Sequence, residues 1–164
     1  MVDNRAFIRP VHKVLIALSF VMIIASIVVV IVFACTHEAG EVATHYDING
    51  NPDDYSNPMG FVILPIIMLI TNAIMALMLR YYPLDKWNYP IKVNPTSAAL
   101  VYTDSVWLMI LLMLLISIYC FGMSLAIGNL GKVGMWASLL LVGLLVLIVV
   151  TLMVKMIRDN KKII

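Results

Sequence analysis

Apolar positions in this chain fall into four long blocks separated by polar stretches. Val14–Cys35, Met59–Leu79, Ser105–Ile127 and Val133–Val154 each run 21 to 23 residues without Asp, Glu, Lys, Arg or His. A helix of that length spans about 32–35 Å, enough to cross a hydrocarbon core of about 30 Å with some tilt. Backbone groups in lipid must be paired within their own segment, which makes each block a helix rather than a loop or an open strand. The pattern predicts an all-α integral membrane protein forming a single membrane domain. Its four transmembrane helices cover about 14–35, 59–79, 105–127 and 133–154.

Short connections make neighbouring spans antiparallel, an up-down arrangement. Residues 36–58 form one loop, 80–104 a second, and Gly128–Gly134 a turn-rich third. Tyr81-Tyr82-Pro83 ends the second helix, because proline disfavours helical conformation in the residue before it. Asn57-Pro58 and Asn94-Pro95 read as helix starts, with asparagine capping and proline in the first position. The second of these predicts a short helix from Thr96 to about Asp104 that runs into the third span. Pro65 should kink or loosen the second span. Asn72, the one strong polar group at depth, is expected to hydrogen-bond to a neighbouring helix.

Composition agrees with the blocks: 63% of residues are hydrophobic and 12% charged, where a soluble domain carries roughly a quarter charged. The first apolar run exceeds the core of a signal peptide, so an intact first helix is expected. Charge sets the orientation. Ten of the eleven basic residues lie in the N-terminal stretch, the 80–104 loop and the C-terminal stretch, and only Lys132 lies opposite. By the positive-inside rule both termini and the 80–104 loop are cytoplasmic, and the acidic 36–58 loop faces outward. The basic side calls for anionic lipid as partner and nothing suggests nucleic acid. Trp87, Tyr89, Tyr102, Trp107 and Trp136 read as interfacial anchors, and the twelve methionines as lipid-facing or gap-filling side chains. Cys35 and Cys120 read as two buried, inert thiols, although a disulfide outside the cytoplasm is also open to them.

Intramembrane charges mark most proton relays and ion paths, and their absence from the four blocks argues against a pump or an ion-coupled transporter. Candidate chemistry therefore sits in the outer loop, Thr36–Pro58. Its 23 residues far exceed the usual helix-helix connection of about 2–8. Asn49-Gly50 is a turn signal, since both residues tolerate positive φ. Asp47, Asn49, Asn51 and Asp53 imitate the first ligands of an EF-hand, but Pro52 and Pro58 stand where that motif needs glycine and glutamate. His37-Glu38-x-x-Glu41 lacks the second histidine of a zinc-peptidase motif. His37, Glu41, His45 and Asp47 are left as a non-standard divalent-metal set, against a hydrogen-bonded loop in which His45 orders the turn. No cofactor is otherwise expected.

The segment Val42–Tyr55 resembles the signature of a bacterial and archaeal membrane family that includes the Sdp-type toxin-immunity proteins: His-aromatic-Asn/Asp-x-x-Gly-x-Pro-Asp-x-aromatic just before a second span. His45, Tyr46, Asp47, Gly50, Pro52, Asp53 and Tyr55 occupy those places. Ala43 stands for the usual proline and Asp54 for a frequent glycine. Pro65, Asn88-Tyr89-Pro90 and Asn94-Pro95…Tyr102 fit the family's next motifs, so the likeness covers about residues 25–105. It implies a prokaryotic plasma-membrane module with ligand-contacting residues at His45, Tyr46, Asp47, Asn49, Gly50, Pro52, Asp53 and Tyr55. A cytoplasmic docking surface would lie at Asn88, Tyr89, Pro90, Asn94 and Tyr102. The expected function is non-enzymatic recognition of a peptide or toxin at the outer loop, immunity- or sensor-like. The acidic loop favours a cationic partner. The alternatives are a small accessory subunit of a larger membrane transporter or enzyme complex, and a metal-dependent outer-face hydrolase using His37, Glu41, His45 and Asp47.

Overall fold

The computed structural model describes residues 2–37, 40–47, 49, 51–127 and 130–162. Four long helices carry the fold: α1 Pro10–Thr36, α2 Ile63–Tyr81, α3 Ala98–Leu125 and α4 Leu130–Asp159. Each is long and apolar enough to cross a membrane, and they run up and down as the short connections require. All four are longer at one end or both than the uncharged blocks, so their last turns reach into charged sequence. The exception to an all-α chain is a two-stranded antiparallel hairpin, β1 Val42–Tyr46 and β2 Pro52–Ser56, inside the 36–58 loop.

The seam between α1 and α3 is the most extensive helix contact. On α1 it buries His12, Ser19, Ile23, Ser26 and Val30; on α3 it buries Val106, Ile110, Met113, Ser117, Cys120 and Ser124. Both sets step by three and four residues, or by the seven that they sum to, the repeat that keeps one stripe facing a partner helix. Small residues (Ser19, Ser26, Ser117, Cys120 and Ser124) recur among the larger ones; lipid is as apolar as leucine, and close backbone approach supplies the attraction that burial cannot. The serine hydroxyls do not remain unpaired in the seam. Ser19 donates to the Ile16 carbonyl, Ser26 to Met22, Ser117 to Met113 and Ser124 to Cys120, at 2.7–2.9 Å.

Helix α2 packs against both partners, and Asn72 makes the expected helix-to-helix bond, donating from Nδ2 to Ser117 Oγ at 2.9 Å. Pro58–Val62 form a 3₁₀ turn and α2 proper begins at Ile63, which places Pro65 in the first turn, where an N–H has no intrahelical acceptor. Helix α4 packs chiefly along α3. It leaves Leu139, Leu140, Val146, Leu147, Val150 and Val154 exposed, a face suited to lipid.

The main buried cluster, Leu79, Leu84, Val106, Ile110 and Met113, lies toward the end of the bundle rich in Lys and Arg. A smaller one, Val30 and Ile127 with Phe33, Tyr46 and Phe61, lies under the hairpin. Cys120 is buried, but Cys35 is exposed at the end of α1, and both are free thiols. The expectation of two buried thiols is corrected at Cys35, which lies in the last turn of α1 with its side chain exposed.

Candidate functional site

The hairpin is built on one anchored strand and one free strand. Val42 of β1 is buried and Tyr46 packs on the cluster beneath, whereas all five residues of β2 are exposed. Gly40, at φ 78°, turns the chain into β1, a conformation glycine adopts without a steric penalty. Pairing runs Val42 to Ser56, Ala43 to Tyr55, His45 to Asp54 and Tyr46 to Pro52, with irregular register on both sides of His45. Such bulges re-aim a side chain. Here the shift sets His45 Nδ1 2.6 Å from Asp53 Oδ1, an exposed pair.

Asp47 orders the turn. Its Oδ1 accepts the backbone N–H of Asn49 at 2.9 Å and of Asn51 at 2.8 Å, and its Oδ2 accepts the Asn51 side-chain amide at 3.2 Å. The Asp47 N–H donates to the Asn51 carbonyl at 2.9 Å. Donation by the backbone N–H and side chain of Asn51, then by Asn49, holds the Asp47 carboxyl below the usual aspartate range. The turn expected from Asn49-Gly50 is thus organised by Asp47, two positions before Asn49. Gly50 lies outside the described residues. Asp47 replaces His45 as the residue that orders the turn.

The structure brings the residues expected to contact a ligand into one hairpin: His45, Tyr46 and Asp47 on one arm, and Pro52, Asp53 and Tyr55 on the other, with Asn49 at the tip. It does not gather the metal set. Asp47 is occupied by its own turn, His45 by Asp53, and His37 stacks on Phe33 with ring centroids 4.9 Å apart. Among the described residues no three His, Cys, Asp or Glu side chains lie together as a metal site. Glu38 lies outside the described residues.

At the opposite, basic end the docking residues have mixed fates. Asn88, Tyr89 and Pro90 line a cavity against α3 and α4. Burial pushes the Tyr89 hydroxyl up to about 12, keeping it protonated to donate to the Leu84 carbonyl at 3.0 Å. Asn94 is engaged internally, its N–H donating to Asn160 Oδ1 at 2.7 Å. Its Oδ1 accepts from Thr96, one turn before α3 begins at Ala98 rather than Thr96. Tyr102 packs edge-on to Phe7 at 5.7 Å and Trp107 edge-on to His12 at 4.4 Å, so these two aromatic residues are packing partners of the N-terminal segment rather than free interfacial anchors.

Three residues of this end escaped the sequence reading. Asn4 is buried and closes the break after α2. Its Nδ2 donates to the Leu79 and Tyr82 carbonyls at 2.9 and 2.8 Å, and its Oδ1 accepts the Leu84 N–H at 3.0 Å. Asp104 is buried in α3 and pairs with Lys155 of α4, which also reaches Asp159 at 3.2 Å. Asn160 ties the 92–97 segment to the end of α4, donating to the Lys92 carbonyl and accepting from Asn94 N and Ser97 Oγ. A hint for the ion pair was present: Asp104 and Asp159 are acids within the most basic stretches of the chain.

A family model described as a domain of unknown function (DUF1648) matches residues 15–69, from α1 through the hairpin into α2. The matched stretch holds the whole hairpin and none of α3 or α4. No curated protein and no solved structure matches the chain.

Proposed function

We propose that this multi-pass membrane protein is non-enzymatic and recognises a cationic peptide through its hairpin, in an immunity- or sensor-like role. The observation that carries the reading is the hairpin's asymmetry: β1 is fastened to the bundle and β2 holds Asp53, Asp54 and Tyr55 at the exposed surface. The free edge of β2 is a poor template for an added strand. Pro52 has no N–H, and the Tyr55 N–H is taken by its neighbour's carboxylate, Asp54 Oδ1, at 2.9 Å. Edges protected in this way resist strand pairing, which leaves recognition to side chains. Glu41, Asp47, Asp53 and Asp54 steer positive charge toward them, and Tyr55 offers an amphipathic contact.

In this reading both termini and the 80–104 loop face the cytoplasm of a prokaryote and the hairpin faces outward, as the distribution of Lys and Arg favours. The Asn72–Ser117 bond ties α2 to α3 and so lies on the route by which hairpin occupancy reaches the 80–104 loop. The likeness of the His45–Asp53 segment to the Sdp-type immunity signature supports the choice of a peptide as ligand.

The test uses the intact chain in nanodiscs with fluorescent cationic and anionic decapeptides of matched length. Salt-sensitive binding of the cationic set, weakened at least tenfold by His45→Ala and by Asp53→Ala at unchanged helicity, is expected. Binding that ignores peptide charge, or survives both substitutions, would sink the assignment.

A further inference from the structure

At the basic end the segment after Leu84 folds back over α3 and α4 and lines, with them, a half-open cavity of about 190 Å³. Trp87 and Tyr89 form one wall, Leu108 and Met109 of α3 another, and Met153 and Met156 of α4 the third. The space exceeds the roughly 150 Å³ apolar cavity that admits benzene, and thioether side chains reshape readily around a guest. Apart from the Asn88 amide, which belongs to an exposed residue, the polar groups in the lining are already engaged. The Trp87 indole N–H donates to the Tyr82 carbonyl at 3.1 Å, the Tyr89 hydroxyl to Leu84 at 3.0 Å, and the Ser105 hydroxyl to Val101 at 2.8 Å. A polar guest would find few partners there, whereas a hydrocarbon guest loses nothing by entering.

The charge carried by this end of the chain then selects the guest. Ten basic and four acidic side chains belong to this end of the chain. Two of the acids, Asp104 and Asp159, are buried against Lys155 and Lys162, and Asp85 accepts the Val2 N–H at 3.1 Å. Lys86, adjacent to Trp87, and Arg158, one turn beyond Lys155, stand exposed. An anionic headgroup is the complement of that surface.

We propose that this cavity holds one acyl chain of an anionic phospholipid, with Lys86 holding the headgroup at the rim. A chain seated there touches the loop, α3 and α4 together, so lipid composition would govern how firmly α4 docks. The site stands apart from the hairpin and does not depend on what the hairpin binds.

Trp87 reports on it directly. A chain keeping Trp87 alone (Trp107→Phe, Trp136→Phe) is reconstituted in phosphatidylcholine vesicles. These carry the same low mole fraction of dibrominated phosphatidylglycerol or of dibrominated phosphatidylcholine, whose bromines quench indole on contact. The anionic lipid should reach Trp87 about fivefold more readily, the preference one lysine near the surface confers. Lys86→Gln should remove that preference, and filling the cavity by Met153→Phe from α4 or Leu112→Phe from α3 should remove the quenching. The intact chain with its three tryptophans, compared with Trp87→Phe, gives the same reading should the reduced chain fail to fold. Equal quenching by both lipids, or selective quenching that survives both filling substitutions, would overturn the proposal.

Discussion

The two ends of the bundle are ordered by opposite means. At the hairpin the polar contacts are local: Asp47 bonds residues two and four positions away, and His45 meets Asp53 eight positions on. At the basic end they join distant segments. Asn4 reaches Leu79, 75 positions away, Asn160 reaches Asn94 across 66, and Lys155 reaches Asp104 across 51. The hairpin is exposed and the basic-end groups are largely buried. A local, exposed network can vary without disturbing the bundle, whereas a buried network between distant segments fails when one member is lost. The hairpin is therefore the region free to vary in sequence, and the basic end is the clasp of the fold.

That contrast is sharpest at Lys155. Lys155→Met leaves the Asp104 carboxylate buried without its cation, a change that costs about 3–5 kcal/mol in comparable pairs. Unfolding in mixed detergent micelles should show the loss, and the double variant Asp104→Leu/Lys155→Met should recover most of it. A single variant as stable as the parent would break the distinction between the two ends. Next in size is Asn4→Ala, which strands two carbonyls and one N–H near the main cluster. About 2–3 kcal/mol is expected, with Leu79 and Leu84 amide protection falling first in hydrogen exchange.

The smallest global effect belongs to the hairpin. Asp47→Ala should abolish exchange protection at the Asn49 and Asn51 amides while the melting temperature of the bundle stays put. Acid should do the same reversibly. The Asp47 carboxyl sits below its ordinary value because the N–H groups of Asn51 and Asn49 donate to its charged form. The hairpin's gain from that charge is thus complete above the unfolded pKa of about 3.9 and is lost as pH falls through the lower folded value. Amide shifts of Asn49 and Asn51 followed by NMR should titrate with a midpoint under that of a free aspartate. A midpoint at or above it would remove Asp47 from its place in the turn.

Legibility in the sequence follows the same division. The four helices were readable because an uncharged block of more than 20 residues is long enough to span the hydrocarbon core. The turn around Asn49, the Asn57-Pro58 start of the second span and the stop at Pro83 were readable because each depends on neighbours in the chain. The strands were not foreseen: β1 is held by burial of Val42 and Tyr46 on helices whose positions the sequence does not state. Nor were Asn4 and His12, which sit in what reads as a polar leader and are buried only by folding. Serines at 19, 26, 117 and 124 marked the α1–α3 seam, yet in uniformly apolar helices no contrast of faces announces which side is buried.

The uneven packing of α4 implies an order of assembly. Helices α1, α2 and α3 meet pairwise and hold Asn72 against Ser117, so they form a complete bundle before the fourth span is needed. Helix α4 has one long neighbour, and its strongest polar ties, through Lys155, Asp159 and Asn160, all lie in its final turns and just beyond. During synthesis those groups leave the ribosome last among the span's residues. The joint can close only after the final turns of α4 have formed, so docking of that end of α4 onto α3 and the 92–97 segment follows completion of the helix.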